Sequence, residues 1–315
     1  MHSVDQQVLE HLVGWLDRGE RAWLCTIVAT FGSSPRPVGS LFACCESGAT
    51  AGSLSGGCVE EDLVENLLAG EVDTLSRREY GVSAEENERL GLPCGGRLEI
   101  LVEPMGVKDQ TVLRELLTAV AERRYLARRV DLGTGVSTLE SASGYAPLAI
   151  DDGSLLQTFG PRYRMLLIGA GALSETLSQL ASAMDYQVLV NDPREDVLAR
   201  WEGEAVLRIP GMPDDAVREH AADRHSIVLT LTHDPRIDDM ALMEALEHEL
   251  FYIGALGSVR TTEKRVERLK ALGLGDTELG RLHAPVGLPI GSKTPMEIAI
   301  AILAELTQLR SAERI

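Results

Sequence analysis

Apolar and polar positions alternate in blocks that mark out elements along the chain. The residues from Val8 to Trp15 carry the spacing of a short amphipathic helix, ended near Arg18-Gly19. Trp23 to Ala29 is a run of apolar and β-branched residues that predicts a strand, followed by the turn-rich Gly32-Ser-Ser-Pro-Arg-Pro-Val-Gly39. A second strand is expected at Leu41–Cys45, ahead of a glycine-rich loop from Gly48 to Gly57. Val59, Leu63, Val64, Leu67 and Leu68 form a helical stripe, and Arg97–Val102 reads as a further strand. Val112 to Leu126 is helix-like. Arg123, Arg124, Arg128 and Arg129 fall in a helix-like stretch, where a solvated face is expected. Strand-like pieces with glycine turns, such as Asp131-Leu-Gly-Thr-Gly135, continue to about Gly160.

The pattern changes near Gly160-Pro161-Arg162. Tyr163–Ile168 is a buried-strand run, and strand signals recur at Gln187–Asn191, Ile227–Thr232 and Phe251–Ala255, separated by helix-length segments. Strands alternating with helices imply a parallel sheet covered on both faces. The expected fold class is α/β: a Rossmann-like parallel-sheet C-terminal domain (161–315) with a mixed α/β N-terminal domain (1–160). At the carboxyl end, Thr294-Pro295-Met296-Glu297 offers an N-cap threonine, proline at the first helical position and glutamate at N3.

Composition narrows the function. The 315 residues are 44% hydrophobic and 25% charged, an ordinary globular balance, while 30 Lys+Arg against 48 Asp+Glu leave a net charge of −18. Such a field repels phosphate backbones and anionic lipid, so neither nucleic acid nor a membrane surface is an expected partner. The amino terminus lacks a cationic region followed by an apolar one, and no apolar run reaches the length of a membrane span. Five cysteines, without disulfide-framework or zinc-ligand spacing, suit a cytoplasmic location and argue against structural zinc.

Several groups of residues could carry chemistry. Gly169-Ala170-Gly171-Ala172-Leu173-Ser174 follows a strand and opens a helix. Gly169 and Gly171 allow a tight turn and the approach of a pyrophosphate to the helix N-terminus. Asp192 falls where such a fold places its ribose-binding acid. Arg194, two residues on, would favour a 2′-phosphate instead, so the choice between NAD and NADP stays open. In Gly52-Ser-Leu-Ser-Gly-Gly-Cys58-Val-Glu-Glu61, the amides of Gly56 and Gly57 would point at whatever occupies the loop. The start of a helix would lower the thiol pKa of Cys58, suiting it to attack, to carry sulfur or to ligate a soft metal. Cys94, in Pro93-Cys94-Gly95-Gly96, is a second thiol in a permissive backbone, whereas Cys25, Cys44 and Cys45 are expected to fill the core. His233, with Asp234 beside it, lies after a predicted strand, at the sheet edge where ligands bind. It could act as an acid or base oriented by Asp234, or lie exposed beside a helix cap. Arg260 near a helix start and Lys293 in Gly287-Leu-Pro-Ile-Gly-Ser-Lys-Thr294 could face an anion, but Ser292 and Pro289 rule out a Walker loop.

Read together, these motifs resemble the XdhC/CoxI family, accessory proteins for maturation of xanthine dehydrogenase and related molybdenum hydroxylases. The resemblance rests on Gly32–Gly39, Gly52–Glu61 and Leu92–Gly96, then on Gly169–Gly171, Asp192-Pro-Arg194, Leu231–Pro235, Tyr252–Ser258 and Ala284–Pro295, in that order. It implies a protein that binds the molybdenum cofactor, supports its sulfuration with a cysteine desulfurase and delivers it to the apo-hydroxylase. The pterin carries a phosphate and a soft, dithiolene-bound molybdenum. This suits Cys58 as first thiol and metal ligand, Cys94 as second, and Arg36, Gly56 and Gly57 as the surrounding loop. The chain departs from the family at Ala172, where members often carry histidine. The alternatives are an NAD(P)-dependent oxidoreductase using His233 as acid/base, and a scaffold that only docks partner proteins. A homodimer is the default expectation for such a chain.

Overall fold

The computed structural model describes residues 3–32, 36–70, 72–82, 96–203 and 206–312, with the backbone alone at Ser3, Cys58 and Ala312. The chain divides into two compact units, Met1–Pro161 and Arg162–Ile315.

In the first unit, the apolar run expected as a strand forms β1 (Ala22–Phe31), whose first seven residues are all buried. Continuous burial requires cover on both faces, and helices provide it. On one side, α1 (Ser3–Asp17) and α3 (Gln110–Ala121) pack Leu9, Leu12, Leu113 and Leu116 against Leu24, Leu41 and Ala43. On the other, α2 (Cys58–Leu68) packs Val59, Leu63 and Leu67 against Cys25, Ile27, Phe42 and Ile100. With β2 (Leu41–Cys45), β3 (Thr50–Gly52), β4 (Ser76–Tyr80) and β5 (Arg97–Met105), β1 forms an antiparallel sheet of order β3-β2-β1-β5-β4. Cys25, Cys44 and Cys45 are buried in it, as expected, and burial pushes the Cys44 thiol up to about 12. Gly52 cannot be replaced freely: its φ is +87°, and a Cβ would lie 2.3 Å from the Leu41 carbonyl oxygen.

The segment after α3 corrects one expectation. The helix ends at Ala121, Arg123 takes a φ of 59°, and residues from Leu126 form β6 (Leu126–Asp131). A four-stranded antiparallel sheet results, β7-β6-β9-β8, with β7 (Ser137–Ser141), β8 (Ala149–Ile150) and β9 (Ser154–Phe159). In β6 the alternation of a strand turns Arg128 inward. Its side chain is 1% exposed and bonds both oxygens of Glu103 on β5 at 3.0 and 2.6 Å. Arg128 therefore joins the two sheets of this unit instead of lining a solvated face.

The second unit is the Rossmann-like domain. Its six strands are parallel, in the order β12-β11-β10-β13-β14-β15. They are β10 (Arg164–Ile168), β11 (Gln187–Asn191), β12 (Leu207–Ile209), β13 (Ser226–Thr230), β14 (Tyr252–Ala255) and β15 (Leu282–His283). Helices α4 (Ala172–Ala183) and α10 (Pro295–Ala312) cover one face through Leu177, Ala181, Ile302 and Leu306. The short α5 (Glu195–Ala199) follows β11. The other face is covered by α6 (Pro213–His220), α7 (Pro235–Glu247) and α8 (Val259–Ala271), and α9 (Asp276–Leu279) leads into β15. The expected capping box opens α10: Glu297 accepts from the amides of Lys293 and Thr294.

Candidate functional site

Register places the motifs of the second unit at one edge. Ile168 pairs with Asn191 on one side and Thr230 on the other, and Thr230 pairs with Ala255. The loops that follow these strands therefore leave the sheet side by side, at the carboxyl edge where open α/β sheets bind ligands.

Gly169 has a φ of +108°, and a Cβ there would lie 2.7 Å from Thr232 Cγ2, so the turn out of β10 requires glycine. Gly171 is the N-cap of α4 and supplies no side-chain cap, and a Cβ at Gly171 would meet no atom within 4 Å. The helix start is open to an approaching group. Asp192 lies immediately beyond β11, and its Oδ2 accepts the Ala170 amide at 3.0 Å. The acid that the spacing singled out therefore lies against the glycine loop. What the spacing left open was its neighbour. Arg194 donates to both Asp192 oxygens, Nε at 2.8 Å and Nη2 at 2.7 Å, and the Arg194 amide donates to Oδ1 at 3.0 Å. The Asp192 side chain is wholly buried while that of Arg194 is 51% exposed. Burial opposes ionisation of Asp192, but Arg194 and the Ala170 amide outweigh it and hold the carboxyl below its usual range. The two residues that sequence placed in competition are one ion pair, with the cation outward.

His233 is exposed in the loop between β13 and α7. The expected His233–Asp234 pair is not formed. Asp234 caps α7 through the Arg236 amide at 2.9 Å and holds the Arg236 guanidinium at 3.1 and 2.7 Å. These bonds to Arg236 hold its carboxyl down at about 2. A proline at the first helical position explains why the aspartate turns to the helix: Asp-Pro at the start of a helix is a capping arrangement. Arg260 lies in the first turn of α8, and Lys293 in the loop before α10; both are exposed.

Beneath this edge lies a polar pair that sequence reasoning missed. Arg265 of α8 donates to Asp238 of α7 at 3.0 Å and to the Leu256 carbonyl at 3.1 Å. Asp238 also accepts from the Thr232 hydroxyl at 2.7 Å. The pair ties the loops after β13 and β14 together. No spacing rule links positions 238 and 265, because they meet only once α7 and α8 pack on the same face of the sheet.

In the first unit, the Gly52–Glu61 loop ends in α2, which begins at Cys58 as the sequence suggested. The Cys58 side chain lies outside the described residues, as do Ser33–Pro35 and the whole of 83–95, which contains Cys94. Arg36 is exposed in the connection from β1 to β2. The amides of Gly56 and Gly57 are not directed outward: they donate to Glu60 at 3.0 and 3.1 Å. Glu60 also accepts the amides of Leu54 at 2.8 Å and Ser55 at 2.9 Å, and the hydroxyls of Ser53 and Ser55. Burial works against its charge, yet the bonds from Ser55, Gly56 and Leu54 dominate and take the carboxyl from 4.5 to about 2. The sequence signal for this was Glu60 three residues after the N-cap glycine, the spacing at which a glutamate reaches back to the cap amide. Among the described residues, no group of three or more His, Cys, Asp or Glu is arranged to hold a metal. Nor is any described helix long and apolar enough to cross a membrane.

Comparison with known proteins matches this architecture. Residues 15–76 match the model of the XdhC and CoxI family, and residues 165–306 match the XdhC Rossmann domain. A probable xanthine dehydrogenase subunit from Bacillus subtilis (strain 168) is 25% identical, over 94% of this chain and 95% of its own length. The molybdenum cofactor insertion chaperone PaoD of Escherichia coli (strain K12) is 26% identical, over 96% of this chain and 88% of its own. A crystal structure described as a xanthine dehydrogenase from Bacillus halodurans superposes with a TM-score of 0.77 and 27% identity, covering 98% of this chain and 96% of that one. With both family domains matched in order, and with a glycine-loop Rossmann unit following an antiparallel unit that carries the Gly52–Glu61 loop, the chain belongs to the XdhC/CoxI family.

Proposed function

We propose that this protein binds the molybdenum cofactor as cargo, supports its sulfuration in concert with a cysteine desulfurase, and delivers it to a xanthine dehydrogenase-type apo-enzyme. The observation that carries the reading is the near full-length correspondence with a molybdenum cofactor insertion chaperone, spanning both units. A turnover enzyme has less support: Asp234 is committed to Arg236, so the acid/base pair an oxidoreductase would use at His233 is not assembled.

In this reading Cys58 is the thiol that holds molybdenum or accepts sulfur, because it opens α2 directly after a glycine loop. Cys94 is the second thiol, and Arg36 belongs to the loop around them. The test is anaerobic mixing with released molybdenum cofactor, followed by desalting and assay of bound molybdenum and pterin. Wild type is expected to retain the cofactor stoichiometrically and Cys58→Ser to lose it. Equal retention by both would remove Cys58 from the site, and retention by neither would count against the chaperone role.

A second ligand is favoured by a separate observation. The uncapped start of α4, the open space at Gly171 and the outward Arg194 over Asp192 suit a dinucleotide phosphate. NADH and NADPH titrations followed by fluorescence test this. Arg194→Ala should weaken whichever nucleotide binds, and a null titration with both would leave the loop without that role.

A further inference from the structure

The loop in front of Cys58 is built around a carboxylate. Four consecutive amides, Leu54 through Gly57, and two serine hydroxyls converge on the two oxygens of Glu60. Successive amides pointing to one side form a nest, a backbone shape that selects an anion. Such nests commonly wait for an external phosphate or carboxylate. Here the chain supplies its own anion from the third residue of the helix that follows. Gly56 makes the turn possible with a φ of +96°, and nothing lies within 4 Å of where its Cβ would be, so the loop gains no support from side-chain packing there. Glu61, the adjacent carboxylate, is exposed. The difference between the two neighbours assigns the structural task to Glu60 alone.

We infer that Glu60 is a positioning residue: its carboxylate is the resident anion that shapes the Leu54–Gly57 backbone, and through it sets where residue 58 is presented to the cargo. This rests on the cofactor-chaperone reading. It also changes what the loop can do within that reading. With the amides satisfied internally, the loop offers a fixed scaffold rather than a phosphate cradle. A phosphate on the cargo must then be met elsewhere, or must displace Glu60.

The experiment uses the full chain and two readouts. Amide hydrogen exchange over the peptide containing Leu54–Gly57, read by mass spectrometry, reports the loop. Retention of molybdenum and pterin after desalting reports the cargo. In Glu60→Ala the four amides are expected to exchange ~10- to 100-fold faster, and cofactor retention should fall. Formate, a free carboxylate that can enter the vacated nest, should slow exchange again and restore retention, while chloride at equal ionic strength should do neither. Glu60→Asp, one methylene short, should give partial protection, and Glu61→Ala should behave as wild type. A merely bulky or packing role for Glu60 would not respond to formate. Unchanged exchange in Glu60→Ala, or equal effects of formate and chloride, would overturn the inference. If the loop loosens and is rescued while cofactor retention stays at the wild-type level, the presentation role is overturned and only loop shaping survives. If wild type itself retains no cofactor, the chaperone reading fails, and the exchange data still decide whether Glu60 shapes the loop.

Discussion

Arg128 and Glu103 offer a sharp test of how the first unit is held together. The two side chains are 1% and 4% exposed, and the guanidinium bonds both carboxylate oxygens at 3.0 and 2.6 Å while also reaching the Ser137 hydroxyl at 2.8 Å. Because they sit on β6 and β5, they join two sheets that also meet through apolar contacts, among them those of Val28, Leu101, Val130 and Leu155. Removing one partner of such a pair leaves an uncompensated buried charge, a loss of ~3–5 kcal/mol. For a unit of this size each kcal/mol moves the melting temperature by ~2–4 °C, so Arg128→Met should lower it by ~6–20 °C. Replacing both members, Arg128→Met with Glu103→Leu, removes the stranded charge and should recover most of that loss, because the pair had itself to be desolvated. Urea titration reports the effect through the fluorescence of Trp15 and Trp23, both buried in this unit. A Trp201→Phe background removes the signal of the other unit. An Arg128→Met variant within ~1 kcal/mol of wild type, or a double variant no more stable than the single one, would refute the argument.

Three further outcomes follow from the same geometry. Glu60, depressed from 4.5 to about 2, stabilises the loop fully above the unfolded value, and the contribution fades as pH falls toward the folded one. Exchange at Leu54–Gly57 should therefore stay slow, after correction for intrinsic rates, until the pH drops below that of an ordinary glutamate, and acceleration near neutral pH would contradict it. Asp192→Asn should weaken the hold on the Ala170 amide and on Arg194, lowering stability by ~1–3 kcal/mol and loosening the glycine loop, as read by denaturant midpoint and by any nucleotide titration. Asp234→Ala should lose the α7 cap and lower the denaturant midpoint, and an unchanged midpoint would contradict the capping role.

Much of the molecule is local in origin. The strand–glycine–helix–acid series from Met165 to Asp192 depends on period, turn chemistry and chain length, and each is a property of neighbouring residues. The same holds for the α10 capping box and for the start of α2 at Cys58. Burial of Cys25, Cys44 and Cys45 was equally legible, because an unbroken apolar strand must be covered on both sides. These features, together with several motifs in a fixed order, are enough to point to the family.

Polar partnerships were decided by tertiary structure. An arginine in a sequence window looks solvated, and only the return of β6 beside β5 shows Arg128 facing Glu103. The tie between Asp238 and Arg265 requires two helices to lie on one face of a sheet. Asp192 and Arg194 read as competing signals until the side chains show them paired, and Asp234 reads as a partner for His233 until Arg236 claims it. The physical reason is common to all of them. Hydrophobic periodicity sets which face of an element turns inward, and that is a one-dimensional property of the chain. A hydrogen bond depends on distance and direction between specific atoms, and for residues far apart in sequence those are set only when the elements have packed.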